Sequence, residues 1–207
     1  MDIVKHLRRR AVTWAAAGAA AVAAASALSL TAASAAPVTS ASTSGPFTFA
    51  LVPSPGIASC LTHAHGVVTI IPGSQNDLMD VTITGMPKNA EFDLFVIQQP
   101  NKPFGVSWYQ TDVNANGNGV GFASVRGIFD RETFSVSPGG TTTFAPTHQF
   151  HLGLWFNDPQ LPFKLGCEPG QPSPVVTPFN GEQHAGIQVL NTAEFPDNAG
   201  PLSHVHR

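Results

Sequence analysis

Histidines at alternate positions have the most distinctive chemical spacing in this sequence. His63 and His65 form one His-x-His pair, and His204 and His206 form another. In a β-strand, side chains two residues apart lie on the same face, so each pair could present two imidazoles to one metal ion. Together the pairs would supply the four ligands of a zinc or copper site. The alternative is that both pairs are solvated residues of a loop and of a fraying C-terminus.

Pairs of acidic residues are a second pattern with catalytic potential. Glu91 with Asp93, and Asp130 with Glu132, would each share a strand face, and two facing carboxyl groups can hydrolyse glycosidic bonds. Such pairs also arise by chance among scattered surface acids. The sequence contains no Gly-x-Ser-x-Gly, His-Glu-x-x-His or glycine-rich phosphate-loop motif. We therefore assign no catalytic residue and rank a secreted hydrolase below the other functions.

The segment from Asp112 through Asn114 and Asn116 to Gly117 has the spacing of oxygen ligands in a calcium-binding loop. The twelfth position of such a loop holds a bidentate Glu, whereas this sequence has Ala123 there. Asn116-Gly117 is also a strong signal for a two-residue type I′ hairpin turn. The sequence favours a hairpin turn over a calcium site.

Two aromatic residues are candidates for ligand binding. If exposed, Trp155 or Tyr109 could stack on a sugar ring, as in carbohydrate-binding β-sandwich domains. Trp108 and Tyr109 are adjacent and must face opposite sides of a strand. The alternative for each is burial in a core that is rich in phenylalanine.

Cys60 and Cys167 are the two cysteines of the chain. In an oxidising compartment they are expected to form a disulfide with each other. The residues after Cys167, Glu-Pro-Gly-Gln-Pro, lack the nearby His of a blue-copper site. We expect Cys167 to attach the loop-rich segment 157–182 to the rest of the domain.

Short runs rich in β-branched and aromatic residues must position these groups. They recur every 10 to 15 residues with Gly, Pro, Asn or Asp between them, and no long amphipathic helix interrupts them. This pattern predicts an all-β, antiparallel β-sandwich of the immunoglobulin-like or jelly-roll-like kind, with about nine strands. The predicted strands are 46–52, 66–71, 79–84, 92–98, 105–111, 119–126, 132–136, 148–156 and 185–190.

Residues 81–96, VTITGMPKNAEFDLFV, resemble the strand-turn-strand segment of fibronectin type III and immunoglobulin-like domains. Met86-Pro87 stands where that family has Leu-Pro, and Phe92 stands where it has the tyrosine of its corner. Over a longer span, PFGVSWYQTDVNANGNG, HLGLWFNDP and FNGEQHAGIQVLNT are similar to uncharacterised secreted proteins of actinobacterial type. The first resemblance implies a β-sandwich, and the second implies secretion and a β fold.

The N-terminus has the pattern of an export signal. Basic residues precede an alanine-rich run that ends in Ala33-Ser34-Ala35. We expect a signal helix over 1–35, a disordered leader over 36–45, and one domain over 46–207. A retained membrane anchor is the alternative, although alanine favours hydrocarbon much less than leucine does.

The charge balance limits the class of partner. Residues 36–207 hold six Lys or Arg, spread singly, against twelve Asp or Glu. Nucleic acid is excluded because phosphate binding needs clustered cations, and no membrane association is expected after signal removal. The sequence therefore predicts a secreted, extracellular, non-catalytic binding or structural module whose ligand is a glycan or a protein. The alternative is an exported zinc- or copper-binding protein.

Overall fold

The computed structural model describes residues 45–129, 135–137, 140–142, 150–178 and 184–205. All of them belong to one unit of the chain, Ser40–Arg207. The predicted signal helix, Asp130, Glu132 and His206 lie outside the described residues. Twelve strands are described: β1 (Phe47–Pro53), β2 (His65–Ile71), β3 (Asp77–Thr84), β4 (Glu91–Ile97), β5 (Ser107–Asn114), β6 (Gly121–Gly127), β7 (Ser135–Ser137), β8 (Gly140–Thr142), β9 (His151–Phe156), β10 (Thr177–Pro178), β11 (His184–Ala185) and β12 (Gln188–Asn191).

Eight of these strands form one antiparallel sheet in the order β5-β4-β9-β12-β1-β2-β3-β6. The two edge strands meet through a bridge between Ala115 and Gly121, so the sheet is nearly closed and barrel-like. The predicted all-β antiparallel class is confirmed. This nearly closed sheet does not confirm the finer prediction of a two-layered sandwich. The remaining strands pair as β7 with β8 and β10 with β11.

Alternation of side chains builds the main core. In β3, Met79, Val81 and Ile83 are buried while the residues between them are more exposed, as expected for a strand with one face toward a core. Inward-facing residues of β4 and β9, such as Leu94 and Leu154, belong to the same cluster. The apolar residues of both halves of the sheet therefore pack into one interior.

Strand β9 is buried at every residue, so its outer face is covered as well. There, Trp155 packs with Phe95 and Ile97 of β4, Ala185 of β11 and Phe104 of the β4–β5 loop in a second, smaller cluster. A Cβ atom at Gly153 would overlap the Trp155 ring, so the glycine allows the indole to lie across its own strand. Strand β11 of the short β10–β11 sheet and the β4–β5 loop therefore cover this face.

One short helix, α1 (Gln160–Lys164), follows β9, and its Leu161 packs against the main core. Cys167 follows the helix and forms a disulfide with Cys60 of the β1–β2 loop, across a sequence separation of 107 residues. The predicted pairing is confirmed, and so is the attachment of the loop-rich segment through Cys167. Both sulfur-bearing residues pack at the edge of the main core.

We predict that replacing Cys60 and Cys167 together by Ser lowers the free energy of unfolding by about 4–5 kcal/mol, because the bridge closes a loop of 107 residues in the unfolded chain. Urea denaturation of the oxidised wild type and of the double variant measures the difference. Using the double variant avoids a free thiol that could form a wrong pair. Equal unfolding free energies would contradict the prediction.

Candidate functional site

A pocket of about 550 Å³ opens where three loops approach the start of β12. Ser54 and Pro55 come from the β1–β2 loop, Asn101 and Phe104 come from the β4–β5 loop, and segment 167–177 supplies another wall. Its volume falls within the range of roughly 300–1,000 Å³ that small-molecule sites occupy. Most of the pocket surface is carbon. This concavity is the best candidate for a binding site in the described part of the chain.

A buried hydrogen-bond network holds the floor of the pocket. The Ser54 hydroxyl donates to Gln188 Oε1 (2.9 Å), and the Gln188 amide donates to the carbonyl of Pro100 (3.1 Å). Asn191 Nδ2 donates to the same Pro100 carbonyl and to Gln188 Oε1. Because these bonds join β12 to both neighbouring loops, the floor is fixed before any ligand arrives.

Glu168 is the charged residue buried in the pocket wall; only 7% of its surface is exposed. Its Oε2 accepts a hydrogen bond from the Val175 N–H at 2.8 Å. Its Oε1 is buried and has no hydrogen-bond partner among the described residues. A buried acceptor without a partner costs about 1–3 kcal/mol, so such groups are uncommon and call for an explanation.

The backbone around Glu168 is fixed from both sides. The preceding residue, Cys167, carries the disulfide. The Gln171 N–H then donates to the Glu168 carbonyl at 3.2 Å, and Gly170 has a φ of 80°. Pro169 followed by a left-handed glycine is the pattern of a type II turn. The sequence reasoning missed Glu168, although Cys-Glu-Pro-Gly-Gln contains the signal for this turn.

Trp155 does not have the exposed position that a sugar-stacking platform requires. It is completely buried, and its ring contacts Phe95 (centroids 5.5 Å apart) and Phe104 (5.0 Å) edge to face. The proposed role of Trp155 as a surface platform is therefore corrected, because loops cover the outer face of β9. Its position behind Phe104 makes Trp155 a support for the pocket wall.

Tyr109 is accessible but lies away from the pocket lining, with 48% of its surface exposed. Its ring packs on Phe95, while Trp108 packs on Phe150 in the main core. The two neighbours therefore face opposite sides of β5, as predicted. A contact between Tyr109 and a ligand stays a prediction.

The described histidines do not converge on a metal ion. His65 pairs with Thr84 at one end of β2, whereas the His204 ring lies 6.1 Å from that of Phe47, which pairs with Ile70 near the other end. Five residues of strand separate these positions by about 17 Å. The structure therefore does not bring His63 and His65 together with His204, and His206 lies outside the described residues. No cluster of three metal-ligating residues occurs within the described ranges.

The calcium-like segment forms a hairpin, as favoured from its sequence. Asn116 Oδ1 accepts hydrogen bonds from the N–H groups of Asn118 and Val120, so the turn itself uses this oxygen. Asp112 accepts the Tyr109 hydroxyl, and Asn114 lies at the end of β5. The turn type differs from the prediction: the left-handed residue is Gly119, with a φ of 71°, and a longer loop replaces the two-residue turn.

Asp93 and Asp112 lie opposite each other on β4 and β5. Asp93 is buried, and this burial raises its pKa; the charge of Asp112 and a hydrogen bond with it act in the same direction, while the Asn157 amide opposes them. Partial burial, the hydrogen bond to Asp112 and the nearby negative charges raise the pKa of Tyr109 to about 12. Glu91, the predicted partner of Asp93, is exposed and adds a smaller repulsion.

Comparisons with known proteins give no match: no family model fits the chain, and neither a curated protein nor a solved structure is similar to it. Among the described residues, no helix has the length and apolar character needed to cross a membrane.

We predict that Asp93→Asn makes the protein more stable at pH 7. Because the pKa of Asp93 is raised in the folded state, the folded protein binds this proton more tightly than the unfolded chain does. The protonated Asp93 therefore stabilises the folded protein fully when the pH is below 3.8, the ordinary pKa of the carboxyl group. This stabilisation is lost as the pH rises through the higher pKa of the folded state. Asparagine keeps the acceptor for Asn157 and removes the charge beside Asp112.

Denaturant unfolding at pH 3 and pH 7 measures this effect. The variant should exceed the wild type in unfolding free energy at pH 7 and should lose that advantage at pH 3. Glu91→Gln is the control, since Glu91 is exposed. A variant that is less stable than the wild type at pH 7 would show that the ionised Asp93 is well accommodated.

Proposed function

We propose that this chain is a secreted, non-catalytic binding protein whose ligand occupies the pocket between segment 167–177 and the β4–β5 loop. Secretion is supported by the signal-like first 35 residues and by the disulfide, which persists in oxidising compartments. The resemblance to secreted actinobacterial-type proteins agrees with this proposal. We also infer that the two halves of the sheet, joined by β1, pack in the manner of a sandwich, because both contribute to one core.

The observation that carries the proposal is Glu168, a residue of the pocket lining whose buried Oε1 has no hydrogen-bond partner among the described residues. A ligand with a hydrogen-bond donor would supply the hydrogen bond that this carboxyl oxygen lacks. The remainder of the pocket is already organised, because the floor network and the disulfide fix its walls. Pre-organisation lowers the entropy cost of binding.

Binding is favoured over catalysis by the content of the pocket. Glu168 is the acidic residue among the described residues that line it, and no histidine lies beside it. General acid–base reactions, in contrast, commonly use two groups that exchange roles as donor and acceptor of a proton. One fixed carboxyl group in a largely apolar cavity is better suited to orienting a ligand.

We predict that Val175→Trp abolishes ligand binding, because residue 175 lines the pocket and an indole would fill it. Val176→Trp is the matched control: Val176 is exposed and does not belong to the lining. A library of fragments with an apolar body and one hydrogen-bond donor serves as the probe, with binding followed by ligand-observed NMR. Hits on the wild type should weaken at least tenfold with Val175→Trp and be retained with Val176→Trp.

Two outcomes would contradict the proposed function. Fragments that bind Val175→Trp as well as they bind the wild type occupy some other site. A complete lack of hits on the wild type would mean that the pocket does not select small ligands.

A further inference from the structure

The buried charge of the pocket lies at one residue, Glu168, in a carbon-rich surface. Pro55, Phe104, Pro169 and Ile187 provide apolar contact, while Glu168 provides a buried carboxyl group. An isolated ionised carboxylate is much more costly to bury than a neutral polar group, and a partner of opposite charge offsets that cost. The missing partner of Glu168 is therefore defined by charge as well as by hydrogen bonding.

The position of the carboxyl group allows it to meet a ligand. The Val175 N–H holds Oε2, and the disulfide and the type II turn hold the backbone. Oε1 is buried at the wall, and the terminal torsion of a glutamate side chain has a broad energy profile. Because Glu168 lines the pocket, a turn about this torsion that gives up the Val175 hydrogen bond would let the carboxyl group meet a donor there.

The polar side chains on the floor of the pocket are poorly suited to binding hydroxyl groups. The side chains of Ser54 and Gln188 already bond to each other, and Gln188 also binds the Pro100 carbonyl. At the floor, a sugar hydroxyl would have to break these bonds to find a partner, which leaves Gln171 and Thr177 of the lining for such contacts. Lys102 also lines the pocket, but its side chain is exposed, so water and salt screen its charge.

We infer that the pocket binds an organic cation: a compact apolar body with a primary or secondary ammonium group that pairs with Glu168. An ammonium group donates the missing hydrogen bond and supplies the opposite charge, and charge-assisted hydrogen bonds are about twice as strong as neutral ones. The apolar body replaces water against Phe104 and the prolines. This inference rests on the proposed function, because it assigns a ligand class to the same pocket.

Three probes with the same apolar body test the ligand class: 4-phenylbutylamine, 4-phenylbutan-1-ol and 4-phenylbutyrate. Each is titrated at pH 7 into the oxidised, ¹⁵N-labelled protein, and amide shifts give the site and the dissociation constant. We expect the amine to bind at least tenfold more tightly than the alcohol, with shifts at Glu168 and Val175. The anion should bind more weakly than the alcohol.

Glu168→Gln separates charge from shape. Glutamine retains an oxygen for the Val175 N–H but carries no charge. The amine should lose its advantage over the alcohol in this variant, while the affinity for the alcohol should change less than threefold. Glu194→Gln is the matched control, because it removes the same charge from an exposed residue outside the pocket lining.

The outcomes distinguish the ligand class from the proposed function. Equal binding of amine and alcohol in the pocket would overturn the cation inference and leave a binding pocket for neutral molecules. An amine preference that survives Glu168→Gln, or that falls equally with Glu194→Gln, would also overturn it, since general surface charge would then be the cause. If none of the three probes binds while fragments of the library do, the ligand class is wrong and the pocket function stands.

Discussion

Strands β4 and β9 carry large apolar side chains on both faces, and this constraint determines the arrangement of the loops. The inner residues fill the core of the nearly closed sheet, while Phe95 and Trp155 point away from it. Water contact with these rings would be unfavourable, and of the described strands outside the large sheet, β11 contributes only Ala185 to their cluster. The loops on either side of the sheet must therefore fold over the outer face.

Loops that cover a sheet bring polar backbone with them, and that backbone needs partners. The outer face supplies them from β12: Gln188 and Asn191 bind the Pro100 carbonyl, which holds the β4–β5 loop in place. Buried His151 holds the segment after β12 in place through two hydrogen bonds. Its Nδ1 lies 2.9 Å from Thr192 Oγ1, and its Nε2 lies 3.3 Å from the Asp197 carbonyl oxygen. Burial lowers the pKa of His151 and so favours the neutral ring, while the hydrogen bonds with Asp197 and Thr192 act in the opposite direction.

Local sequence signals predicted the strands and the disulfide well, because alternation and cysteine pairing depend on few residues. The alternation in β3 and the opposite orientation of Trp108 and Tyr109 are read directly from neighbouring positions. The burial of Trp155 could not be read in this way, since it depends on a loop about fifty residues earlier in the chain, which places Phe104 over it. Glu168 was missed for the same reason: its pocket exists only after three separate loops meet.

The pocket occupies the place where the covering loops do not close completely over the outer face. It borders both clusters, because Phe104 of the second cluster lines it together with Cys167 and Ile187, which pack in the main core. Cys167 connects the two regions, because it packs against the core while Glu168, the next residue, faces the pocket wall. The disulfide that limits the unfolded chain also sets the position of the one buried carboxyl group among the described lining residues. The disulfide therefore links the stability of the fold to the geometry of the pocket.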